Sequence, residues 1–141
     1  MKIAECQVYT RRWWNEQRDG CGYYASRFVA DESGKGGSDD VDKRREVLRQ
    51  IPLVEFDEKA VAELAMKLIA GHAVPAGETT DALHIATAAV TGADVLLTWN
   101  CKHMANPHTL PVTRKIVTDA GYICPAVMTP KTFIENLNLE A

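Results

Sequence analysis

Apolar residues in the middle of the chain recur at the spacing of one helical face. Asp57 precedes this stretch as a candidate N-cap, and Gly71 follows it as a candidate terminator. Charged residues between Asp57 and Gly71 lie on the other side of the helix from the apolar positions, which predicts an amphipathic helix packed on a core. The predicted inward face consists of Val61, Leu64, Ala65, Leu68 and Ile69.

Beyond this helix the apolar positions group into one more helical stretch and two short runs. A helix is predicted from an N-cap at Thr80 to Val90, with Gly92 as its terminator. The apolar run 95–98 is too short for a helix and predicts a strand buried on both faces of a parallel sheet. A further short strand is predicted at 126–128.

Helix signals flank the two predicted strands. A helix from Pro111 to Gly121 follows the first strand, and Thr129 with Pro130 forms an N-cap and N1 pair for a last helix after the second. A short strand is also predicted at 53–56, before the amphipathic helix. The alternation of strands and helices predicts an α/β protein. The inward residues of the helix that begins at Pro111 are predicted to be Ile116, Val117 and Ala120.

The first third of the chain has weaker patterns. A helix is predicted over 2–18, and Ser26 is a candidate N-cap for a brief helix. The glycine-rich stretch 34–38 predicts a surface loop, and acidic residues open a predicted helix over 39–50. A length of 141 residues suits one compact domain, so we expect a single domain over 1–141.

Charge and cysteine content narrow the class of protein. The chain has 16 Lys and Arg against 19 Asp and Glu, a net charge of −3, which argues against coating nucleic acid through bulk charge. Its four cysteines lack CxxC spacing, and we find no signal peptide or membrane-length apolar run. We therefore expect a cytoplasmic protein with reduced thiols.

Polar residues beside the predicted strand 95–98 are the first candidates for a functional site. Asn100 follows the strand, and Asp81 opens the helix before it, so both can reach the carboxyl edge of a parallel sheet. Asp81 can equally serve only to stabilise the helix dipole. His84 is either a core histidine or a catalytic base. His103 could either bind a phosphate or only cover the loop.

Asp31 and Glu32 supply further carboxylates on the brief helix. If they converge with Asp81 in space, the cluster would suit Mg²⁺ or Mn²⁺, which prefer oxygen ligands and activate water for phosphodiester cleavage. A zinc site is the alternative, although the paired ligand spacing of zinc sites is absent. Its ligands would be Cys101, His103, His108 and Cys124.

The residues DALHIA at 81–86 and DVLLTWNCKH at 94–103 resemble the C-terminal half of PIN-domain proteins, particularly the VapC-like toxins of type II toxin–antitoxin systems. The ending 121–130 is similar to the same branch. The resemblance extends more weakly back through 51–53 and 26–32 to the tryptophans at 13–14, so it covers most of the chain.

The resemblance implies a metal-dependent ribonuclease fold with three α/β/α layers, a central parallel sheet and acids at its carboxyl edge. It places Glu32 at the acid of the early helix, with Asp31 as the alternative, and Asp81 at the acid that opens the DALH helix. Asn100 occupies a position that is often aspartate, and Thr98 matches the hydroxyl residue before it. Asp81, Glu32 and Asn100 are thus the implied catalytic residues and ligands of Mg²⁺ or Mn²⁺.

The family begins with a central strand that carries the first acid of the cluster. This chain begins in what looks like the following helix, and Glu5 does not stand in the setting of that acid. We therefore expect the N-terminal strand to be absent. Either the true start lies upstream, or the chain is a shortened relative with impaired nuclease activity.

Two functions follow from these observations. The first is a VapC-type endoribonuclease that hydrolyses RNA phosphodiester bonds, forms a homodimer and is blocked by a small antitoxin protein. The second is a non-catalytic PIN-like module that binds an antitoxin-like peptide or RNA without cutting it.

Overall fold

The computed structural model describes Trp13, residues 23–28, Glu46 and residues 49–140. Four helices and two strands alternate within 49–140, which confirms the predicted α/β class. In chain order they are α1 (Glu58–Ala70), α2 (Thr79–Val90), β1 (Val95–Leu97), α3 (Leu110–Asp119), β2 (Ala126–Met128) and α4 (Pro130–Glu140).

The two strands pair in parallel, with Val95 opposite Ala126 and Leu97 opposite Met128. Helix α3 connects them, so the unit is a strand, a crossover helix and a neighbouring parallel strand. The strand predicted at 95–98 ends one residue earlier than expected. Its side chains are half-buried, so the prediction that both faces are buried is wrong.

A second parallel contact joins Ala25 to Leu53. The Ala25 amide donates to the Pro52 carbonyl, and the Val54 amide donates to the Ala25 carbonyl, both at 2.9 Å. The strand predicted at 53–56 is therefore a single bridge at Leu53, since the remaining residues of that stretch have no strand structure.

Helices α1 and α2 pack side by side and hold the centre of the core. Leu64 and Leu68 of α1 and Ile85 of α2 are almost fully excluded from solvent. The predicted cap of α1 is confirmed, because the Asp57 carboxylate accepts hydrogen bonds from the backbone amides of Lys59 and Ala60. The predicted inward face of α1 is also buried, with Ile69 partly exposed.

Gly71 ends α1, as predicted, but its φ of −86° does not require glycine. The advantage of glycine is spatial, because a Cβ at this position would lie 2.5 Å from the terminal Cδ1 atom of Ile116 on α3, and that side chain would have to shift. Glycine thus lets the end of α1 approach α3 closely.

Helix α2 begins earlier than the sequence predicts. Glu78 is its N-cap and makes no side-chain capping hydrogen bond, so the prediction of Thr80 as the cap is wrong. A turn positions this start, since the Glu78 amide donates to the Pro75 carbonyl at 2.9 Å. The helix ends after Val90 as predicted, and Gly92 follows with a φ of 78°.

The helices that flank β2 also follow their sequence signals. Pro111 lies in the first turn of α3, and Val117 of this helix is fully buried. The Thr129 hydroxyl accepts a hydrogen bond from the Thr132 amide at 3.1 Å, which confirms Thr129 as the cap of α4.

Residues 23–28 pack against the helical pair through aromatic and charged side chains. The ring of Phe28 lies 5.6 Å from that of Phe56, and Arg27 pairs with Glu58. Helical residues begin after Ser26 as predicted, but its buried hydroxyl makes no hydrogen bond to any described residue.

The other N-terminal predictions fall on residues that the structure does not describe. They are the helix 2–18, apart from Trp13, the loop 34–38, most of the helix 39–50, and the prediction that the first strand is absent. Across the described residues, no helix combines the length and the apolar character that crossing a membrane requires.

Candidate metal centre

Residues 98–105, here called the site loop, leave the carboxyl end of β1. The Thr98 amide extends the strand pairing by donating to the Met128 carbonyl at 2.9 Å, and the Asn100 amide donates to the Thr98 hydroxyl oxygen at 3.0 Å. Asn100 then accepts a hydrogen bond from the His103 amide through its side-chain Oδ1 at 2.9 Å. These bonds fix the backbone of His103 relative to the sheet.

One apolar side chain anchors the site loop to the core. Met104 is only 3% exposed and belongs to the same cluster as the buried residues of α1 and α2. Its sulfur accepts a contact from the Thr98 hydroxyl at 3.7 Å. The loop therefore has a buried anchor directly after His103.

The site loop brings His103 against the first turn of α2. Nδ1 of His103 lies 3.1 Å from Oδ2 of Asp81 and 3.9 Å from Oε1 of Glu78. One potential ligand atom from each of the three side chains lies within 4.8 Å of the other two. This group of Glu78, Asp81 and His103 is called the acidic centre below.

Burial differs sharply within the acidic centre. The Asp81 side chain is 9% exposed, that of His103 19% and that of Glu78 45%. A carboxylate as buried as that of Asp81 loses most of its hydration and needs a compensating donor or positive charge. Among the described residues, His103 is the hydrogen-bond partner of the Asp81 side chain, and its bond engages Oδ2.

The surroundings favour a cation at the acidic centre. The carboxylates of Glu78 and Asp81 repel each other at this separation, and the amino end of α2 compensates only part of their charge. Carboxylate oxygens are the ligands that hard divalent cations prefer. The side chains present therefore fit a divalent cation, with bound water completing its coordination.

The predicted site residues have different positions relative to this centre. Asp81 lies in it, and Asn100 lies in the adjoining site loop with its side-chain oxygen bonded to the His103 amide. Glu32 and its alternative Asp31 lie outside the described residues. The structure thus brings two of the three predicted residues to one place.

The remaining candidates do not join the acidic centre. The His84 ring is buried and packs edge-on against Phe28, with centroids 6.5 Å apart, as expected of a core histidine. Cys101 is exposed, and the Cys124 thiol donates to the Pro125 carbonyl. Within the described part of the chain, neither thiol belongs to a group of three or more potential ligands, so the structure does not assemble the zinc alternative.

Sequence reasoning did not identify Glu78 as a site residue, and it considered His103 for a phosphate, for covering the loop or for the zinc alternative, but not as a neighbour of Asp81. Glu78 stands three positions before Asp81, a spacing that puts two side chains on one side of a helix. The predicted helix start at Thr80 leaves Glu78 outside the helix, so this spacing does not stand out in the sequence.

Comparison with known families gives a match over more than half of the chain. The family model described as PIN domain matches residues 15–100, which include α1, α2, β1 and Asn100. No curated protein and no solved structure gives a significant match to the chain.

Proposed function

Because the chain belongs to the PIN domain family, whose members are in general metal-dependent nucleases, we propose that it is an endoribonuclease of the VapC toxin type. It would use Mg²⁺ or Mn²⁺ to hydrolyse RNA phosphodiester bonds. The observation that carries this proposal is the acidic centre at the carboxyl end of β1, with the buried carboxylate of Asp81 at its middle.

The position of the acidic centre supports this activity. Ligands of parallel α/β sheets bind beyond the carboxyl ends of the strands, and Asp81 and His103 meet at such an end. A divalent cation bound there would supply positive charge to phosphodiester oxygens and promote the ionisation of an attacking water.

The protein side chains have distinct tasks in this proposal. Asp81 and Glu78 hold the cation through oxygen, and Asn100 positions His103 through the backbone amide. Lys102 is exposed in the site loop, where it can bind the RNA phosphate that is next to the cleaved one. Glu32 remains a further proposed ligand.

An RNA cleavage assay with added Mg²⁺ or Mn²⁺ tests the proposal. We expect Asp81→Asn to reduce cleavage by at least about a hundredfold, because even the outer-shell partners of metal ligands typically contribute ten- to a hundredfold. Asp94→Asn is the matched control, since Asp94 is exposed just before the opposite end of β1. Equal cleavage by wild type and Asp81→Asn would overturn the proposed activity.

A second candidate is a PIN-like module that binds RNA or an antitoxin-like peptide without cleavage. Asn100 favours it, because this side chain adds no negative charge and its oxygen already accepts the His103 amide. RNA retained by the purified protein in a filter-binding assay, with no cleavage under either cation, would support this candidate over the nuclease.

We also propose two partners for the nuclease, an antitoxin and a second copy of the chain. A small antitoxin protein would cover the acidic centre in the cytoplasm, and the toxin would form a homodimer. Light scattering of the purified chain tests the dimer. Loss of RNA cleavage on adding a co-purified small protein tests the antitoxin.

A further inference from the structure

We propose that His103 is itself a metal ligand and that it makes the acidic centre select Mn²⁺ over Mg²⁺. This inference rests on the proposed function, because it concerns the cation of the same site. The ligands of Mg²⁺ or Mn²⁺ implied by the sequence all bind through oxygen, whereas His103 would bind through nitrogen.

The geometry places the imidazole where a ligand would stand. Nδ1 of His103 is 3.1 Å from Oδ2 of Asp81. Two ligands on neighbouring corners of an octahedron are about 3.0 Å apart when their bonds to the cation are about 2.1 Å long. The pair can therefore bind one cation with little change in its separation, and Glu78 at 3.9 Å needs only a side-chain adjustment at a half-exposed position.

The burial of Asp81 also favours a cation. Its side chain is 9% exposed, and its Oδ2 lies within hydrogen-bond distance of the His103 imidazole. A carboxylate buried to this extent is unfavourable unless a positive charge or a donor compensates for its lost hydration. A cation shared with His103 supplies that charge.

The site loop holds His103 ready for this role. Asn100 binds the His103 amide at 2.9 Å, and the adjacent Met104 is buried in the core. The backbone of His103 is therefore fixed, and its side chain is 19% exposed. His108, which lies just after the site loop, is exposed. Ligands held in place before binding lose less conformational freedom when the metal arrives.

The donor set decides which cation gains from His103. Mg²⁺ takes oxygen ligands and gives up its waters reluctantly, whereas imidazole nitrogen suits the first-row transition ions. Two carboxylates alone would serve both cations. Adding a neutral imidazole strengthens the binding of Mn²⁺ and contributes little to that of Mg²⁺.

Electron paramagnetic resonance on the purified full chain tests the inference without any activity measurement. We expect the protein to bind Mn²⁺ more tightly than Mg²⁺, with the Mn²⁺ affinity measured by titration and the Mg²⁺ affinity by competition. The bound Mn²⁺ should show the coupling of one directly coordinated imidazole nitrogen. His103→Gln should abolish that coupling and weaken Mn²⁺ binding about tenfold or more. The same variant should change Mg²⁺ binding by less than about threefold.

His108→Gln is the matched control and should keep both the nitrogen coupling and the affinity, because His108 is an exposed histidine outside the acidic centre. Circular dichroism confirms that each variant is folded. Bound Mn²⁺ without nitrogen coupling, or equal weakening of Mn²⁺ and Mg²⁺ by His103→Gln, would overturn the inference and leave the proposed nuclease intact. Failure of the wild type to bind either cation would overturn both.

Discussion

The helical pair α1 and α2 and the site loop are stabilised in different ways. The helical pair buries leucine, isoleucine, valine and alanine side chains along its length. The site loop has one buried anchor, Met104, and otherwise depends on a few hydrogen bonds around Asn100. We infer that the helical pair carries most of the stability, while the site loop determines the geometry at Asp81.

The largest effect on stability is expected from the helical pair. Leu68→Ala should lower the free energy of unfolding by about 2–5 kcal/mol, because it leaves a cavity at a fully buried position. Urea denaturation measures the change. Met66→Ala on the same helix is the control, and with Met66 71% exposed it should cost no more than about 0.5 kcal/mol. Similar losses of unfolding free energy for Leu68→Ala and Met66→Ala would contradict the inference that the buried side chains of the helical pair carry the stability.

A smaller effect is expected where α1 meets α3. Gly71→Ala should cost about 1 kcal/mol, because the new methyl group would overlap the Cδ1 atom of Ile116, which ends a flexible side chain and can shift. Ile116→Val removes that atom, so Gly71→Ala should cost less in the Ile116→Val protein than in the wild type. Gly77→Ala is the control, since nothing lies within 4 Å of a Cβ at that position. An equal cost of Gly71→Ala in the two proteins would rule out this contact as the cause.

In the site loop a polar change should separate stability from site geometry. Asn100→Ala removes the acceptor of the His103 amide and should cost only about 1 kcal/mol of unfolding free energy. We expect the same variant to weaken Mn²⁺ binding, because His103 loses its positioning. Asn100→Asp keeps the acceptor and is the conservative control. An Asn100→Ala protein that binds Mn²⁺ like wild type would show that the loop geometry does not depend on this bond.

The smallest effect concerns thiol chemistry and leaves the fold unchanged. Burial raises the pKa of the Cys124 thiol, and Arg114 opposes this shift without cancelling it. Since the thiolate is the reactive form, less of Cys124 is ionised at pH 8 than of an ordinary thiol, and its reactivity should rise as the pH increases. Peptide mass spectrometry after iodoacetamide treatment should show slower labelling of Cys124 than of the exposed Cys101. Equal rates would contradict the protection of Cys124.

The sequence predicts the regions whose structure depends on local patterns. Asp57 and Thr129 cap their helices as expected, and β2 has the predicted bounds, because each depends on neighbours within a few positions. The start of α2 was predicted wrongly, since a turn at Pro75 fixes it and the hydroxyl of Thr80 does not.

The acidic centre was only partly predictable for a related reason. Asp81 stands out through its place at the start of a helix, but its approach to His103 requires α2 and β1 to pack together. No periodicity encodes that distance. The role of Glu78 likewise becomes visible only when the helix start is known.

The parallel register of β1 and β2 has a consequence for the order of assembly. The contacts between α1 and α2 connect stretches joined by a short turn, whereas Val95 pairs with a residue roughly thirty positions further along the chain. Thr98 at the start of the site loop donates its amide hydrogen bond to Met128 of β2. During synthesis the helical pair can therefore form before this hydrogen bond exists. Asp81 can thus be in place early, while the hydrogen bond of Thr98 at the base of the site loop forms only after β2 has docked.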